Sequence, residues 1–350
     1  MAEAKKTKSG NWTCLVYSHT ETVNGKPKRI YQRFTAEKKK DCERMAKDFE
    51  VNRKQQKTTN ELTVSDAIER YIDLKTNVLS PSTIRSYRLM QKSKFPLIGN
   101  IKLNRLTNEQ IQSEINQESA NYSPKYIRNI YGLLTAALEM FAPNFPVHVS
   151  YPENRQKEIV IPTAAEISHI LELCTNISMT LAIMLAAYLG LRRGEISGLK
   201  VSDIDLQKNT IHICRSVVLS PEKEWIEKVP KTKSGRRTLS IPDILRDTLE
   251  YAVKGKTQTD AVVALSPSQI SDNFQTLAKN ADIPQVTFHA LRHYNASFML
   301  ASGIPNKYAM QRMGHATENM LQRVYQHTIS EKEQEITDQI NQYLSNTFSH

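Results

Sequence analysis

Gly190-Leu191-Arg192-Arg193-Gly194-Glu195 follows directly on the longest apolar run of the chain, Leu181–Leu189. The run reads as a buried helix from about Thr180, and Gly190 as its stop, since glycine takes the left-handed conformation of a helix end without steric penalty. An arginine after such a stop is by itself an ordinary surface charge. Three downstream segments change that reading: Lys231-Thr232-Lys233-Ser234-Gly235, His289-Ala290-Leu291-Arg292-His293, and Gly314-His315 followed by Val324-Tyr325. Each is unremarkable alone. A lysine in a hairpin turn is usually solvated, an HxxxH pair is often structural, and an amphipathic helix commonly half-buries a tyrosine. Together they form an inventory for phosphodiester chemistry. Arginine's planar fork holds two phosphate oxygens and keeps its charge. Tyrosine can attack phosphorus. Lysine and histidine can move protons to or from the bridging oxygens.

The surroundings of these segments read as a mixed unit. Thr163-Ala164-Ala165-Glu166 is a capping box ahead of Ile167, Ile170 and Leu171. Strand patterns occupy Thr210–Val218 and Arg237–Ile241, with Lys231–Gly235 as a hairpin turn. Helical patterns return at Ile241–Val253, Ser268–Asn280, Phe288–Ala301, Pro305–Met313, Glu318–Tyr325 and Glu331–Phe348. The last carries Ile336, Ile340 and Leu344 on one face, with Tyr343 at a packing position.

Upstream, four helical patterns fill residues 61–142. Thr63 caps the first, Ser80-Pro81 opens the second, Thr107 to Gln110 is a capping box for the third, and Ser123-Pro124 opens the fourth. Ala142–Val160, with Pro143, Pro146 and Pro152, reads as a linker. The N-terminal segment is different in kind. Trp12, Cys14 and Val16 alternate with Thr13, Leu15 and Tyr17 as a strand would. Asn24-Gly25 signals a hairpin, Arg29–Phe34 reads as the returning strand, and Lys38–Val51 as a helix with Cys42, Met45, Ala46 and Phe49 on one face. Lys54–Asn60 is polar and unpatterned, and reads as a second linker.

Charge separates these regions. The 350 residues carry a net charge of +11, and residues 1–60 alone hold +8 of it. That suggests a polyanionic partner concentrated on the N-terminal segment. With 39% hydrophobic and 24% charged residues the chain can build packed cores. No apolar run reaches the roughly 18 residues of a membrane span, and no signal-peptide pattern follows the N-terminal lysines. Cys14, Cys42, Cys174 and Cys214 show no CxxC pairing, which argues against a disulfide framework or zinc ribbon and fits a reducing cytoplasm.

In order and wording, Gly-Leu-Arg-x-x-Glu, a hairpin lysine, His-x-Leu-Arg-His, Gly-His and a late tyrosine resemble the tyrosine recombinases, or phage-type integrases. The resemblance implies a multidomain, mainly α fold: a small β-sheet plus helix as arm-binding domain (1–57), a four-helix core-binding domain (61–150), and a mixed α+β catalytic domain (160–350). It implies that Arg192 and Arg292 clamp the scissile phosphate and that Tyr325 attacks it to give a 3′-phosphotyrosyl link. Lys233 would be the general acid for the leaving 5′-oxygen, with Lys231 its rival; the family's lysine lies just before the Ser/Thr-Gly turn, which favours Lys233. His289 would help accept the tyrosine proton, His315 would hydrogen-bond the phosphate, and Glu195 and His293 would support them. Tyr325 lies one residue further from His315 than in many members, a spacing that integrases of the conjugative-transposon type can have.

The implied reaction is integration or excision of a mobile element without ATP, metal or other cofactor, because the phosphotyrosyl bond conserves the energy of the broken phosphodiester. The implied partners are double-stranded DNA at core and arm attachment sites, three further protomers in a homotetramer on DNA, an excisionase and a host DNA-bending protein, in a bacterial cytoplasm and away from membranes. The face of Ile336, Ile340 and Leu344 is expected to pack on a neighbouring protomer. Three rival classes can be framed. A zinc hydrolase built on His289 and His293 lacks the glutamate of HExxH, having Ala290 in its place. A non-catalytic sequence-specific DNA-binding regulator leaves the ordered Arg-Lys-His-Arg-His-Tyr set unexplained. A type IB topoisomerase shares the tyrosine chemistry but has no need of two small DNA-binding units ahead of the catalytic one.

Overall fold

The computed structural model describes residues 4–7, 10–23, 26–153, 159–230 and 235–314, with backbone alone for 19–23, 26–27 and 51–60. The chain divides into two compact units, Met1–Arg155 and Gln156–His350. The first two segments expected from sequence both fall within the first unit.

The first unit opens with an antiparallel sheet of β1 (Lys5–Lys6), β2 (Trp12–Val23) and β3 (Lys26–Ala36), in that order. The alternation along β2 buries Cys14 and Val16 and leaves Leu15 and Tyr17 exposed. β2 and β3 stay paired up to Val23 opposite Lys26, with one register shift between Tyr17 and His19, and so bracket the Asn24-Gly25 pair that lies outside the described residues. Helix α1 (Lys39–Asn60) covers the inner face through Cys42, Ala46 and Phe49, whose ring lies 5.3 Å from that of Phe34. Two expectations are corrected here. Met45 is exposed, so the inward stripe is narrower than the sequence suggested. The stretch Lys54–Asn60 is no open linker but the last turns of α1. Polar residues such as lysine and glutamine are good helix formers, so a lack of apolar periodicity does not end a helix already nucleated.

Four helices follow: α2 (Val64–Lys75), α3 (Pro81–Ser93), α4 (Asn108–Ser119) and α5 (Pro124–Phe141). The starts are as the sequence indicated. Thr63 and Asp66 form a capping box, as do Thr107 and Gln110, and Pro81 and Pro124 stand in first-turn positions. Ile68, Ile72, Ile111, Ile127, Ile130 and Leu134 make the shared core, each side chain contributing about 2 kcal/mol on removal from water. The proline-rich stretch after α5 is only partly a linker. Asn108 donates to the Pro146 carbonyl and accepts from the His148 amide, Gln112 brackets Ser150 in the same way, and Arg128 donates to the Pro152 carbonyl. Residues 145–152 thus strap onto α4 and α5. Side-chain amides stand in for the backbone ladder that proline denies this segment.

The second unit is mixed. Helices α6 (Ala164–Leu173), α7 (Ile177–Leu189) and the short α8 (Arg193–Ser197) come first. Strands β4 (Ile204–Asp205), β5 (Thr210–Ile213), β6 (Ser216–Leu219), β7 (Trp225–Lys228) and β8 (Arg237–Ser240) follow. Then come α9 (Asp243–Val253), α10 (Pro267–Asn280), α11 (Phe288–Ala301) and α12 (Asn306–Met313). The continuous strand expected over Thr210–Val218 is broken. β5 joins a β4-β5-β8 sheet, whereas β6 pairs with the unforeseen β7. The break is held by buried Asp203, which takes an ion pair from Arg215 and a bond from the Cys214 thiol. α7 is apolar all round and lies at the centre of the core, against α9 and α11. The helices expected at Glu318–Tyr325 and Glu331–Phe348 and the turn at 231–234 lie outside the described residues. Among the described residues, no helix is long and apolar enough to cross a membrane.

Candidate active site

Gly190 closes α7 with φ of 66° and a backbone N–H bonded to Ala186 and Leu185 carbonyls. A β-carbon there would stand 2.5 Å from Met313 Sδ and 2.9 Å from Asn295 Oδ1, so both the conformation and the close packing require glycine. The chain then turns into α8, which the sequence did not announce. Gly194 lets α8 approach β6 so closely that a β-carbon would meet Ser216 Oγ at 2.5 Å. This turn delivers Arg192 and Glu195 to one point. The Glu195 carboxylate accepts from the Arg192 amide at 3.0 Å and from Arg192 Nη1 at 2.8 Å.

Arg292 reaches the same region from α11. Only 2% exposed, it donates through its two terminal nitrogens to the carbonyls of Gly190 and Met313. These carbonyls lie at or beside the ends of α7 and α12, where helices leave acceptors unsatisfied and carry partial negative charge. Arg192 donates to the next carbonyl, Gly314, at 3.0 Å. With its side chain 37% exposed, Arg192 is the open arginine, and Arg292 the anchored one behind it. Burial first, and then Arg192, pull Arg292 down to about 9 from its usual range. Such a cation gains from an incoming anion.

His289, Arg292 and His293 share one face of α11 at i, i+3 and i+4. The two imidazoles meet edge to face, 4.8 Å between centroids. His289 has a solvent-accessible ring in a crowded, cation-lined surrounding. Its pKa is lowered to about 4, first by the protein packed around the ring, which partly desolvates it, and then by His293, Arg292, Arg192 and Arg193. The ring is therefore neutral at pH 7 and has one ring nitrogen able to accept a hydrogen bond. Arg193, exposed, is steadied by Ser271 Oγ at 2.6 Å.

Glu195, 5% exposed, has an acidity that is a contest. Burial raises its pKa, but the Arg237 side chain and Arg192 outweigh this and bring it to about 2. Of the residues expected from sequence, the fold brings together Arg192, Glu195, His289, Arg292 and His293. Lys233, His315 and Tyr325 lie outside the described residues. Pro230 and Gly235, which flank 231–234, are packed together: a β-carbon on Gly235 would stand 2.5 Å from Pro230 Cβ. The residue the sequence did not single out is Arg237. Its only local signal was a second arginine after the Lys-Ser-Gly turn.

Known proteins share this fold. Residues 162–332 match the phage integrase family model, and residues 63–119 match that of the phage integrase N-terminal SAM-like domain. The chain belongs to the phage integrase family. A tyrosine recombinase XerC-like protein of Caldanaerobacter subterraneus subsp. tengcongensis is 27% identical over 219 residues, 54% of this chain and 56% of the relative. The chain thus spans about half the length of that relative. The integrase of Staphylococcus phage L54a is 21% identical over 84% of this chain and 97% of its own length. Among solved structures, the Tn1549 transposon integrase in complex with transposon right end DNA superposes with a TM-score of 0.64. That match covers 78% of this chain and 99% of the other, at 16% identity, a likeness of fold alone.

Proposed function

We propose that the chain is a site-specific DNA recombinase that integrates or excises a mobile element by cleaving and rejoining strands through a 3′-phosphotyrosyl intermediate. The observation that carries this reading is the convergence of Arg192 and Arg292 on the carbonyls that end α7 and α12, beside a neutral His289. Two arginines held before a substrate arrives can stabilise the charge of a pentacoordinate phosphorus with little reorganisation, an effect worth about 3–4 kcal/mol per donor in comparable sites. In the step itself, Tyr325 Oη bonds to phosphorus as its proton passes toward His289. The bond from phosphorus to the 5′-oxygen breaks, and Lys233 supplies the proton for that oxygen. Rejoining is the reverse attack by a 5′-hydroxyl, so the bond count is unchanged and no ATP is required. His315 adds a hydrogen bond to the phosphate, and Glu195 and His293 hold their neighbours.

The same reading gives each region a task. Residues 1–57 read arm sites, 61–150 grip the core site, and 160–350 catalyse, with Glu331–Phe348 docking on the next protomer of a homotetramer. The outer sheet face supports the first assignment: Leu15 stands opposite Arg33 and Tyr17 opposite Tyr31, all four exposed. Aromatic and basic side chains on a ribbon suit a DNA groove. An excisionase and a host DNA-bending protein would assist in a bacterial cytoplasm.

The test uses nicked duplexes tiling the DNA that flanks the coding sequence. Wild-type protein should become covalently attached to one of them, in EDTA as well as without it, and Tyr325→Phe should bind that duplex without attachment. Absence of any covalent complex overturns the reading in favour of a DNA-binding regulator. Sequence-independent relaxation of supercoiled plasmid would point to a topoisomerase instead.

A further inference from the structure

Three consecutive carbonyls at the end of α12 each hold one arginine. Gly314 takes Arg192, Met313 takes Arg292, and Arg312 takes Arg237 through Nε at 2.7 Å. The third arginine has no part in the reaction described above. It opens β8, and it is 7% exposed. Its two terminal nitrogens grip Glu195, at 2.9 Å to Oε2 and 3.3 Å to Oε1. All three nitrogens of its guanidinium are therefore engaged.

The consequence lies in what Glu195 is left able to do. A carboxylate has about four acceptor positions, and a planar guanidinium fills two of them side by side. Here the Arg237 fork takes one pair, and the amide and Nη1 of Arg192 take the others. Arg192 is thereby limited to one side-chain bond with Glu195 and keeps its Nη2 on Gly314. Without Arg237, the carboxylate would have two vacant positions and could close on Arg192 as a full fork, or else take up a proton in its buried setting. Either change moves the exposed guanidinium. Arg237 also fixes the end of α12, from which the chain runs on to His315, and it follows Lys233 by four residues.

We propose that Arg237 is a positioning residue for strand cleavage, holding Glu195 and the α12 terminus so that Arg192 keeps one edge of its guanidinium free for the scissile phosphate. The proposal rests on the recombinase reading, and the test separates the two. Full-length wild type, Arg237→Met, Arg237→Gln and Arg237→Lys are compared on the nicked duplex identified by tiling. Single-turnover covalent attachment is followed from pH 5 to 8, beside duplex affinity and thermal melting. Arg237→Met is expected to bind within about twofold of wild type but to attach about 100-fold more slowly, the scale of loss when a reacting group is misplaced by about 1 Å. Its rate should also fall on the acid side, where wild type is flat, because Glu195 loses its strongest stabilising partner. Arg237→Lys should recover part of the rate, and Glu195→Gln added to Arg237→Met should bring little further loss. Arg237→Gln, which keeps a donor for the buried carbonyl, stands in should the methionine variant not fold. A folded neutral variant with wild-type rate and pH profile overturns the proposal, as does a loss that multiplies with that of Glu195→Gln. If wild type attaches to no duplex, the recombinase reading falls and takes this proposal with it.

Discussion

The two ends of this chain carry positive charge in opposite ways. The N-terminal sheet wears it outside: Lys28, Arg29 and Arg33 are exposed on β3. The second unit buries it: Arg237 and Arg292 sit in the interior with Glu195, and Arg192 stands at the opening. Exposed cations attract a polyanion at long range, weaken with salt and carry little geometric information. Buried ones are expensive to desolvate and persist only where carbonyls and a carboxylate meet their donors, and in return their positions are fixed. The proposed recombinase would have use for both: a surface that finds the duplex, and an interior that addresses one phosphate.

Substitutions should separate the two. The largest effect is expected at Arg292. Arg292→Ala removes a buried donor and strands two buried carbonyls, so attachment should fall at least about 1,000-fold and stability by about 3 kcal/mol or more. Single-turnover attachment and denaturant unfolding check both; an unchanged melting transition would show that the anchoring of α7 to α12 is unimportant. Next is Gly190→Ala, which forces a left-handed residue and a contact with Met313 and Asn295. Unfolding should report a loss of about 2 kcal/mol or more, with attachment reduced in step. His289 gives a pH signature. With its pKa lowered to about 4, the ring is neutral at higher pH and becomes a cation only as pH falls through that value. The attachment rate should therefore be flat from about pH 5.5 to 8 and drop toward pH 4; a limb near pH 6.5 would mean that His289 titrates as an ordinary histidine. Thr163→Ala should lower stability by about 1 kcal/mol through the lost cap of α6 and leave chemistry alone. The smallest effect is expected at Arg33→Gln. Melting and attachment at saturating DNA should not change, while the salt dependence of affinity should become shallower by about one unit of slope. A sharp loss of attachment there would erase the contrast between the two regions.

Much of this was legible beforehand, and for local reasons. Helix starts at Thr63, Thr107 and Thr163 are written in residues three apart, because a capping box closes within one turn. Gly190 was legible because its conformation is a property of one residue. The burial of Cys14 and Val16 follows from a two-residue period. What failed to show was what depends on distant partners. Lys54–Asn60 looked like a linker because helix continuation needs no pattern of its own. The strap at 145–152 looked free because its bonds go to Asn108, Gln112 and Arg128, some 24 to 40 residues away. Thr210–Val218 looked like one strand because its break depends on Asp203.

The site divides along the same line. Sequence by itself determined which side chains were available and in what order: Arg192, Lys233, His289, Arg292, His315 and Tyr325 are marked by short motifs. It also determined that His289, Arg292 and His293 share a face, since helical spacing is fixed. Tertiary structure alone decided that Arg292 would be anchored and Arg192 open, and that Arg237 would close on Glu195 across 42 residues of chain. The reason is physical. A guanidinium finds its partners by the position of its donors in space, and those positions are set by where α7, α12 and β8 end, which no local run of residues records.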